Sequence, residues 1–131
     1  MNVFMTGGAG YIGSVTAEIL LTSGHQVTIY DNLSRGNLAA IPSGAIYLNG
    51  DIGDRKTLRN ALASANFDIV FHFASLIEAG ESMEKPVLYF RTNVSYSNNV
   101  IELAAESGCN RFILSSTAAV YASSDQPLTE D

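Results

Sequence analysis

The chain has 131 residues, 47% of them hydrophobic, which is enough to bury the core of one globular domain. Its net charge is -6 and its seven lysine and arginine residues form no cluster, which argues against a nucleic-acid partner because phosphate binding needs a basic surface. No apolar run approaches the roughly 20 residues of a membrane span, no signal peptide opens the chain, and the single Cys109 excludes an internal disulfide, so we expect a cytoplasmic protein outside the membrane.

The first predicted element is a buried strand at residues 3–5, which runs into a glycine-rich stretch at residues 6–13. A helix is predicted next, because side chains suited to a packed face recur at helical spacing: Ile12, Val15, Thr16, Ile19 and Leu20. Glycines between a strand and a helix are typical of a dinucleotide-binding fingerprint, although an ordinary tight turn is about equally compatible with the glycines alone.

Each glycine has a physical role in such a fingerprint. Gly7 or Gly8 adopts the turn dihedrals, Gly10 lets a pyrophosphate approach the backbone, and Gly13 lets the helix pack closely on the strand. The free N–H groups of the first helical turn then face the phosphates, with the helix dipole behind them.

The second strand is predicted at residues 26–30, and Asp31 ends it. An acidic residue about 20 positions after the glycines, at a strand tip, is where a carboxylate accepts hydrogen bonds from an adenosine ribose. The same charge repels a 2′-phosphate, so Asp31 favours NAD over NADP. Arg35 is the one nearby residue that argues for NADP.

Further strands and helices alternate along the chain. An edge strand is predicted at residues 45–48, and Asp54 is expected to cap a helix that buries Leu58, Ala61, Leu62 and Ala65. The nearly unbroken apolar run 68–73 indicates a strand buried on both faces of a parallel sheet.

The last elements are a long helix and a fifth strand. The helix is predicted from Pro86 until Gly108 ends it, and the strand at residues 111–115. One side of the helix is expected to carry Phe90, Val94, Ile101, Ala104 and Ala105.

The alternation of strands and helices predicts an α/β fold, a Rossmann-type doubly wound parallel sheet of strand order 3-2-1-4-5 in three αβα layers. Residues 1–131 are expected to form one NAD-binding domain. Ligands of such sheets bind at the carboxyl ends of the strands, and the distinctive residues of this chain fall there.

These motifs resemble the extended short-chain dehydrogenase/reductase superfamily, and within it the UDP-glucose 4-epimerases. The resemblance runs along essentially the whole chain and rests on residues 6–13, 31–34, 50–52, 72–76, 80–82, 93–94 and 115–121.

The resemblance implies a role for each cofactor residue. Backbone N–H groups of Tyr11 and Ile12 bind the pyrophosphate, and Asp31 holds the adenosine ribose. The residues implied to wrap that ribose are Asn32, Leu33, Ser34, Arg35 and Gly36; those framing the adenine are Asp51 and Ile52; those along the second ribose and phosphate are Phe73, Ala74 and Ser75. Asn93 and Ser115 are implied to lie near the nicotinamide, and Thr117 matches the catalytic serine or threonine that hydrogen-bonds the sugar's reacting oxygen.

Several of these residues also have plainer interpretations. Asp51 starts a turn, Asn93 is solvated, and Ser115 is a strand-end hydroxyl. His72 is more plausibly a hydrogen-bonded core histidine than a catalytic one, and Cys109 a small buried residue. The glutamates Glu78, Glu81 and Glu84 are interpreted as a solvated face, and no metal site is expected.

Two departures from the family pattern limit what this chain does. Ile77 stands where some of these epimerases have a lysine that contacts the cofactor. None of the six tyrosines has a lysine four residues later, so the general acid/base tyrosine and its lysine are expected beyond Asp131. The chain is therefore interpreted as the amino-terminal part of a longer, self-associating enzyme, inactive alone, which epimerises a UDP-sugar at C4.

Two alternatives stay open at this point. One is another NAD-dependent sugar-nucleotide enzyme, such as a dehydratase, decarboxylase or epimerase. The other is a non-catalytic NAD-binding module, which the missing tyrosine and lysine favour.

Overall fold

The computed structural model describes residues 1–117, 120, 121 and 127; Ala118 and Ala119 of the segment 115–121 lie outside the described residues. Five strands are present in this part of the chain: β1 (Asn2–Thr6), β2 (Gln26–Asp31), β3 (Ile46–Asn49), β4 (Ile69–His72) and β5 (Phe112–Leu114). The α-helices are α1 (Tyr11–Thr22), α2 (Arg55–Leu62), α3 (Ala79–Glu84), α4 (Pro86–Phe90) and α5 (Ser97–Glu106). A 3-10 turn spans Leu38–Ala40, and a π-helical segment, Arg91–Tyr96, joins α4 to α5.

The strands form one parallel sheet of order β3-β2-β1-β4-β5, which confirms the predicted topology. Thr6, the last residue of β1, pairs with Tyr30 on one side and His72 on the other, so these three strands end together. The chain order reverses at β1, and a crevice opens at such a switch point, outside the carboxyl ends of the strands.

Alternate residues of β1 enter two separate cores, which confirms the three-layer arrangement. Phe4 packs with Leu58 of α2 and Leu103 of α5 on one face of the sheet. Val3 and Met5 belong to a second core on the opposite face, where α1 packs. Because the sheet is buried on both faces, the loops that follow its strands are held in position at the carboxyl edge of the sheet.

The predicted inner face of α1 is only partly correct: Leu20 packs against the core and Thr16 is half-buried, but the other three predicted residues are not. Its buried residues are Gly13 and Ala17, whereas Ile12, Val15 and Ile19 are exposed. At the start of the helix small side chains lie on the sheet because the glycine turn brings this part of α1 close to β1, whereas Leu20 and Leu21 pack against the core near its end. The contact of α1 with the sheet therefore begins at Gly13 and Ala17 and not at the larger apolar side chains that the periodicity predicted.

The long helix predicted from Pro86 is interrupted by the π-helical segment. A π turn adds a residue to the helical repeat and rotates the next helical turns about the axis. The buried residues of α5 are consequently Ser97, Val100, Leu103 and Ala104, while the predicted Phe90, Val94 and Ile101 are exposed and Ala105 is exposed as well.

Three smaller predictions are confirmed. The Asp54 side chain caps α2 by accepting hydrogen bonds from the N–H groups of Lys56 and Thr57, Gly108 adopts a left-handed φ of 85° after α5, and Cys109 is buried. Among the described residues, no helix is long and apolar enough to cross a bilayer.

Candidate dinucleotide-binding site

A cleft of about 900 Å³ lies at the carboxyl ends of the strands. It is lined by all the predicted cofactor residues except Leu33 and Asn93, namely Gly7, Gly10, Tyr11, Ile12, Gly13, Asp31, Asn32, Ser34, Arg35, Gly36, Asp51, Ile52, Phe73, Ala74, Ser75 and Ser115. Sequence reasoning missed other lining residues, among them Tyr30, Gly50, Leu76, Arg91 and Tyr96.

The glycine turn closes tightly between β1 and α1. Gly7 has a φ of 73°, and a Cβ there would lie 2.5 Å from the backbone nitrogen of Ala74 in the loop after β4. A Cβ on Gly13 would lie 2.4 Å from the carbonyl oxygen of Gly7. Only glycine fits at either position, so Gly7 and not Gly8 makes the left-handed turn.

Gly10 differs because a Cβ there would meet only the carbonyl oxygen of Gly7, at 3.3 Å. The hydrogen of Gly10 therefore faces the open cleft. Its absent side chain leaves room for a ligand group against the backbone, as the fingerprint requires.

The N-terminus of α1 opens into this cleft. Gly10 is the N-cap residue and gives no side-chain hydrogen bond, and the first turn contains no acidic residue. The first helical backbone bond is donated by Ser14 to Gly10, so the N–H groups of Tyr11, Ile12 and Gly13 precede it. Such N–H groups, together with the helix dipole, attract an anion.

The Asp31 carboxylate is held in one orientation beside this helix terminus. The residue is only 8% exposed. Its two oxygens accept hydrogen bonds from the N–H groups of Ala9, at 3.0 Å, and Leu33, at 2.8 Å. A Cβ on Gly36 would lie 3.1 Å from one of these oxygens. Each carboxylate oxygen keeps further acceptor capacity, which ribose hydroxyls can use.

Asp51 joins the loops that follow β2 and β3. Its carboxylate accepts hydrogen bonds from the amide of Asn32 and from the N–H of Gly53, both at 2.7 Å. The turn interpretation is thus correct for one oxygen, while the other binds Asn32. Tyr30 donates its hydroxyl proton to the Asp51 carbonyl at 3.2 Å, and burial, with Asp54 and Asp51 nearby, raises the pKa of Tyr30 to about 12.

A second cavity of about 430 Å³ adjoins the cleft at β4 and β5, and Asn93, Ser115 and Thr117 line it. The Asn93 amide is not solvated: it accepts from the N–H of Leu76 and donates to the carbonyl of Leu76, both at 2.8 Å. Asn93 lies in the π-helical segment, so that irregular turn positions the clamp on the loop after β4.

His72 is a core histidine, as interpreted from the sequence. It is 2% exposed, and its ring nitrogens lie 2.6 Å from the Thr6 hydroxyl and 2.8 Å from the Ser97 hydroxyl. Ser97 donates its own proton to the Asn93 carbonyl at 2.9 Å, which leaves it to accept from His72. Burial lowers the pKa of His72 to about 4, so the ring is neutral.

The solvated-face interpretation is wrong for Glu81. Its carboxylate accepts hydrogen bonds from Lys85, at 3.0 Å, from Tyr89, at 2.9 Å, and from Arg35. Lys85 stands four residues after Glu81, a spacing that pairs side chains on a helix, so this contact was detectable in the sequence. The contact with Arg35 joins residues 46 positions apart, so it was not detectable in the sequence. Within the described residues, no group of metal-ligating side chains is present.

Known proteins resemble this chain in sequence and in fold. The model of the NAD dependent epimerase/dehydratase family matches residues 3–131. The UDP-glucose 4-epimerase of Corynebacterium glutamicum is 43% identical over 132 residues, which covers 100% of this chain and 40% of that protein. The UDP-arabinose 4-epimerase 1 of Arabidopsis thaliana is 41% identical over 99% of this chain and 33% of its own length.

Solved structures agree with these relatives. A crystal structure of a UDP-glucose 4-epimerase superposes with a TM-score of 0.91 at 40% identity, over 98% of this chain and 39% of that one. The Bifidobacterium longum UDP-glucose 4-epimerase, in complex with NAD+ and UDP, superposes at 0.89 with 30% identity, over 100% of this chain and 42% of that one. The chain thus spans about two fifths of the length of these relatives. By the match along nearly its whole length, the chain belongs to the NAD dependent epimerase/dehydratase family.

Proposed function

We propose that residues 1–131 supply the NAD site of a UDP-glucose 4-epimerase, which interconverts UDP-glucose and UDP-galactose by oxidation and reduction at C4. One observation carries this proposal: the uncapped N-terminus of α1 and the buried Asp31 carboxylate face the same cleft. That pair of groups matches a pyrophosphate followed by a ribose. Relatives at 43% and 41% identity are named UDP-glucose 4-epimerases.

The lining of the cleft supports the following placement of NAD. The N–H groups of Tyr11 and Ile12 would bind the pyrophosphate over Gly10, and Asp31 would accept from the adenosine ribose. Adenine would lie between Asp51 and Ile52, the second ribose beside the loop 73–75, and the nicotinamide towards Ser115 and Asn93. When bound, NAD supplies the hydride acceptor for the sugar.

The chain's own chemical contribution would be to position the sugar. Thr117 lines the smaller cavity, where its hydroxyl would hydrogen-bond the reacting oxygen of the substrate. Proton transfer needs a general acid/base, and no tyrosine of this chain has the partner lysine four residues later. We place that tyrosine and its lysine beyond Asp131, together with the sugar-nucleotide-binding domain.

The proposal includes self-association, a UDP-sugar partner and a cytoplasmic location. Self-association of the 131-residue chain is supported by β5, an edge strand of the described sheet, where Ile113 and Leu114 are 44% and 54% exposed. Apolar edge strands favour pairing with another chain. The cytoplasmic location rests on the single buried Cys109, since a reducing compartment keeps such a thiol free.

The full-length protein tests this function directly. We expect it to convert UDP-galactose to UDP-glucose, and Thr117→Val to lower kcat by about 10²-fold, because a positioned hydroxyl is lost. Thr22→Val is the control, since the Thr22 hydroxyl bonds only carbonyls at the far end of α1 in the described structure. Absence of epimerisation by the unmodified protein would contradict the function, and full activity of Thr117→Val would contradict the role of Thr117.

A second candidate is epimerisation of a different UDP-sugar. It is favoured by the 41% identity to a protein named UDP-arabinose 4-epimerase. Comparing kcat/KM for UDP-galactose with that for UDP-arabinose on the full-length protein separates the two. A protein that binds NAD but epimerises neither sugar would instead be a binding module or another NAD-dependent sugar-nucleotide enzyme, such as a dehydratase or decarboxylase.

A further inference from the structure

A charged contact joins a loop that lines the cleft to a helix that is distant in sequence. Arg35 lies in the loop after β2, four residues beyond Asp31, and it lines the cleft. Glu81 lies on α3, which follows β4. The guanidinium of Arg35 donates to the Glu81 carboxylate, so the cation nearest to Asp31 in sequence is already paired.

Glu81 is also held by two neighbouring side chains. Its carboxylate accepts hydrogen bonds from the Tyr89 hydroxyl, at 2.9 Å, and from the Lys85 ammonium, at 3.0 Å. Tyr89 is buried, and the Glu81 side chain is only 21% exposed. The bonds from Lys85 and Tyr89, with Arg35 nearby, hold the pKa of Glu81 below its usual value, so the carboxylate is charged at neutral pH.

The loop that carries Arg35 is equally well defined. The Asp31 carboxylate accepts from the N–H of Leu33, and the Asn32 side chain accepts from the N–H of Ser34, at 2.8 and 2.9 Å. Leu33 has a φ of 57°, a left-handed conformation that is costly for a residue of its size. These hydrogen bonds and this backbone conformation hold the loop in a position from which the Arg35 side chain reaches Glu81.

We propose that Glu81 is a specificity-determining residue, which disfavours NADP by holding Arg35 away from the 2′ position of the adenosine ribose. The inference rests on the proposed NAD site. An arginine just beyond the second strand is the group that accommodates a ribose 2′-phosphate in this type of fold. Asp31 repels that phosphate, and Arg35 could offset the repulsion only if it were free. Because Glu81 pairs with Arg35, the 2′-phosphate of NADP meets the negative charge of Asp31 without a compensating cation.

The test replaces Glu81 by glutamine and measures both cofactors by calorimetry on full-length, nucleotide-free protein at low ionic strength. For Glu81→Gln we expect NADP to bind about tenfold more tightly, the worth of one charge-assisted hydrogen bond, and NAD to change less than about twofold. Glu84→Gln is the matched control, because it removes the same charge from an exposed position on α3. The NADP gain should shrink as salt is added, since Arg35 is half exposed.

The double variant Arg35→Gln/Glu81→Gln identifies the freed arginine as the cause. It should return the ratio of the two dissociation constants to that of the unmodified protein, and Arg35→Gln alone should not tighten NADP. Equal weakening of both cofactors by Glu81→Gln, an unchanged ratio, or a double variant that keeps the NADP gain would each overturn the inference. Failure of both the unmodified protein and Glu84→Gln to bind NAD would refute the proposed function itself.

Discussion

At the residue scale, hydrogen bonds within the chain hold the Asp31 carboxylate in one orientation in the cleft. This carboxylate is buried and receives the N–H groups of Ala9 and Leu33, so its direction is set before any ligand arrives. Such preorganisation lowers the entropic cost of binding. A ribose would add its hydroxyl protons to oxygens that already point at the cleft.

Asp31→Asn should weaken NAD by at least about tenfold, because a hydrogen bond to a charged acceptor is worth about 1.5–3 kcal/mol. Calorimetric titration of the full-length protein measures this. Asp68→Asn serves as the control: Asp68 accepts from the N–H of Asn2 at 2.7 Å, near the amino end of β1. If the Asp31 and Asp68 variants bind NAD equally well, the ribose is not at Asp31.

Two glycines of the same turn should respond differently to alanine. Gly13→Ala places a Cβ 2.4 Å from the Gly7 carbonyl, and should cost about 1–3 kcal/mol of unfolding free energy by overpacking. Gly10→Ala should leave stability nearly unchanged but weaken NAD, because its Cβ enters the cleft. Urea unfolding and calorimetry measure the two effects. The reverse pattern would show that the pyrophosphate does not lie over Gly10.

At the scale of elements, the buried imidazole of His72 connects three of them. His72 of β4 bonds Thr6 of β1 and Ser97 of α5, and Ser97 in turn bonds the carbonyl of Asn93. Asn93 clamps the loop after β4. The neutral histidine thereby supports the wall of the cleft, where its own carbonyl accepts a hydrogen bond from the N–H of Ser115.

Acid should weaken this connection. The pKa of His72 is about 4 in the folded chain and near 6.5 when unfolded, so between these values the unfolded chain binds the extra proton more readily. The stability from neutral His72 is therefore complete above about pH 6.5 and is lost as pH falls towards 4, by an amount on the order of 3 kcal/mol. Urea midpoints measured against pH should show this loss in His25→Gln but a smaller one in His72→Gln. Equal pH dependence of the two variants would argue against a buried neutral ring.

Sequence patterns predicted the elements better than the faces they bury. Strand order, the Asp54 cap and the Gly108 end follow from local residue chemistry, which the sequence contains. The inner face of α5 does not, because it depends on the π turn before it, which apolar periodicity does not indicate. The same limit applies at the site: Asp31 and the glycines stand in a short motif, whereas Arg35 and Glu81 meet only after the sheet has formed.

At the scale of the whole molecule, β5 is one of the two edge strands of the described sheet, and its Ile113 and Leu114 are exposed. We expect the 131-residue chain, expressed alone, to self-associate through this edge, and the sedimentation mass should rise with concentration. Ile113→Lys should reduce the association. Ile46→Lys is the matched control, since Ile46 is 60% exposed on β3 at the opposite edge. A monomeric chain, or an equal effect of both lysines, would contradict this use of β5.

The most direct test of the central claim is hydrogen exchange of the full-length protein with and without NAD. A cofactor bound at the carboxyl ends of the strands should slow exchange at 7–14, 31–37, 50–53 and 73–78. The turns at the opposite ends of the strands, 23–25, 64–67 and 107–110, should be unaffected. Protection confined to those opposite turns, or none anywhere on adding saturating NAD, would contradict the assignment of this cleft as the NAD site.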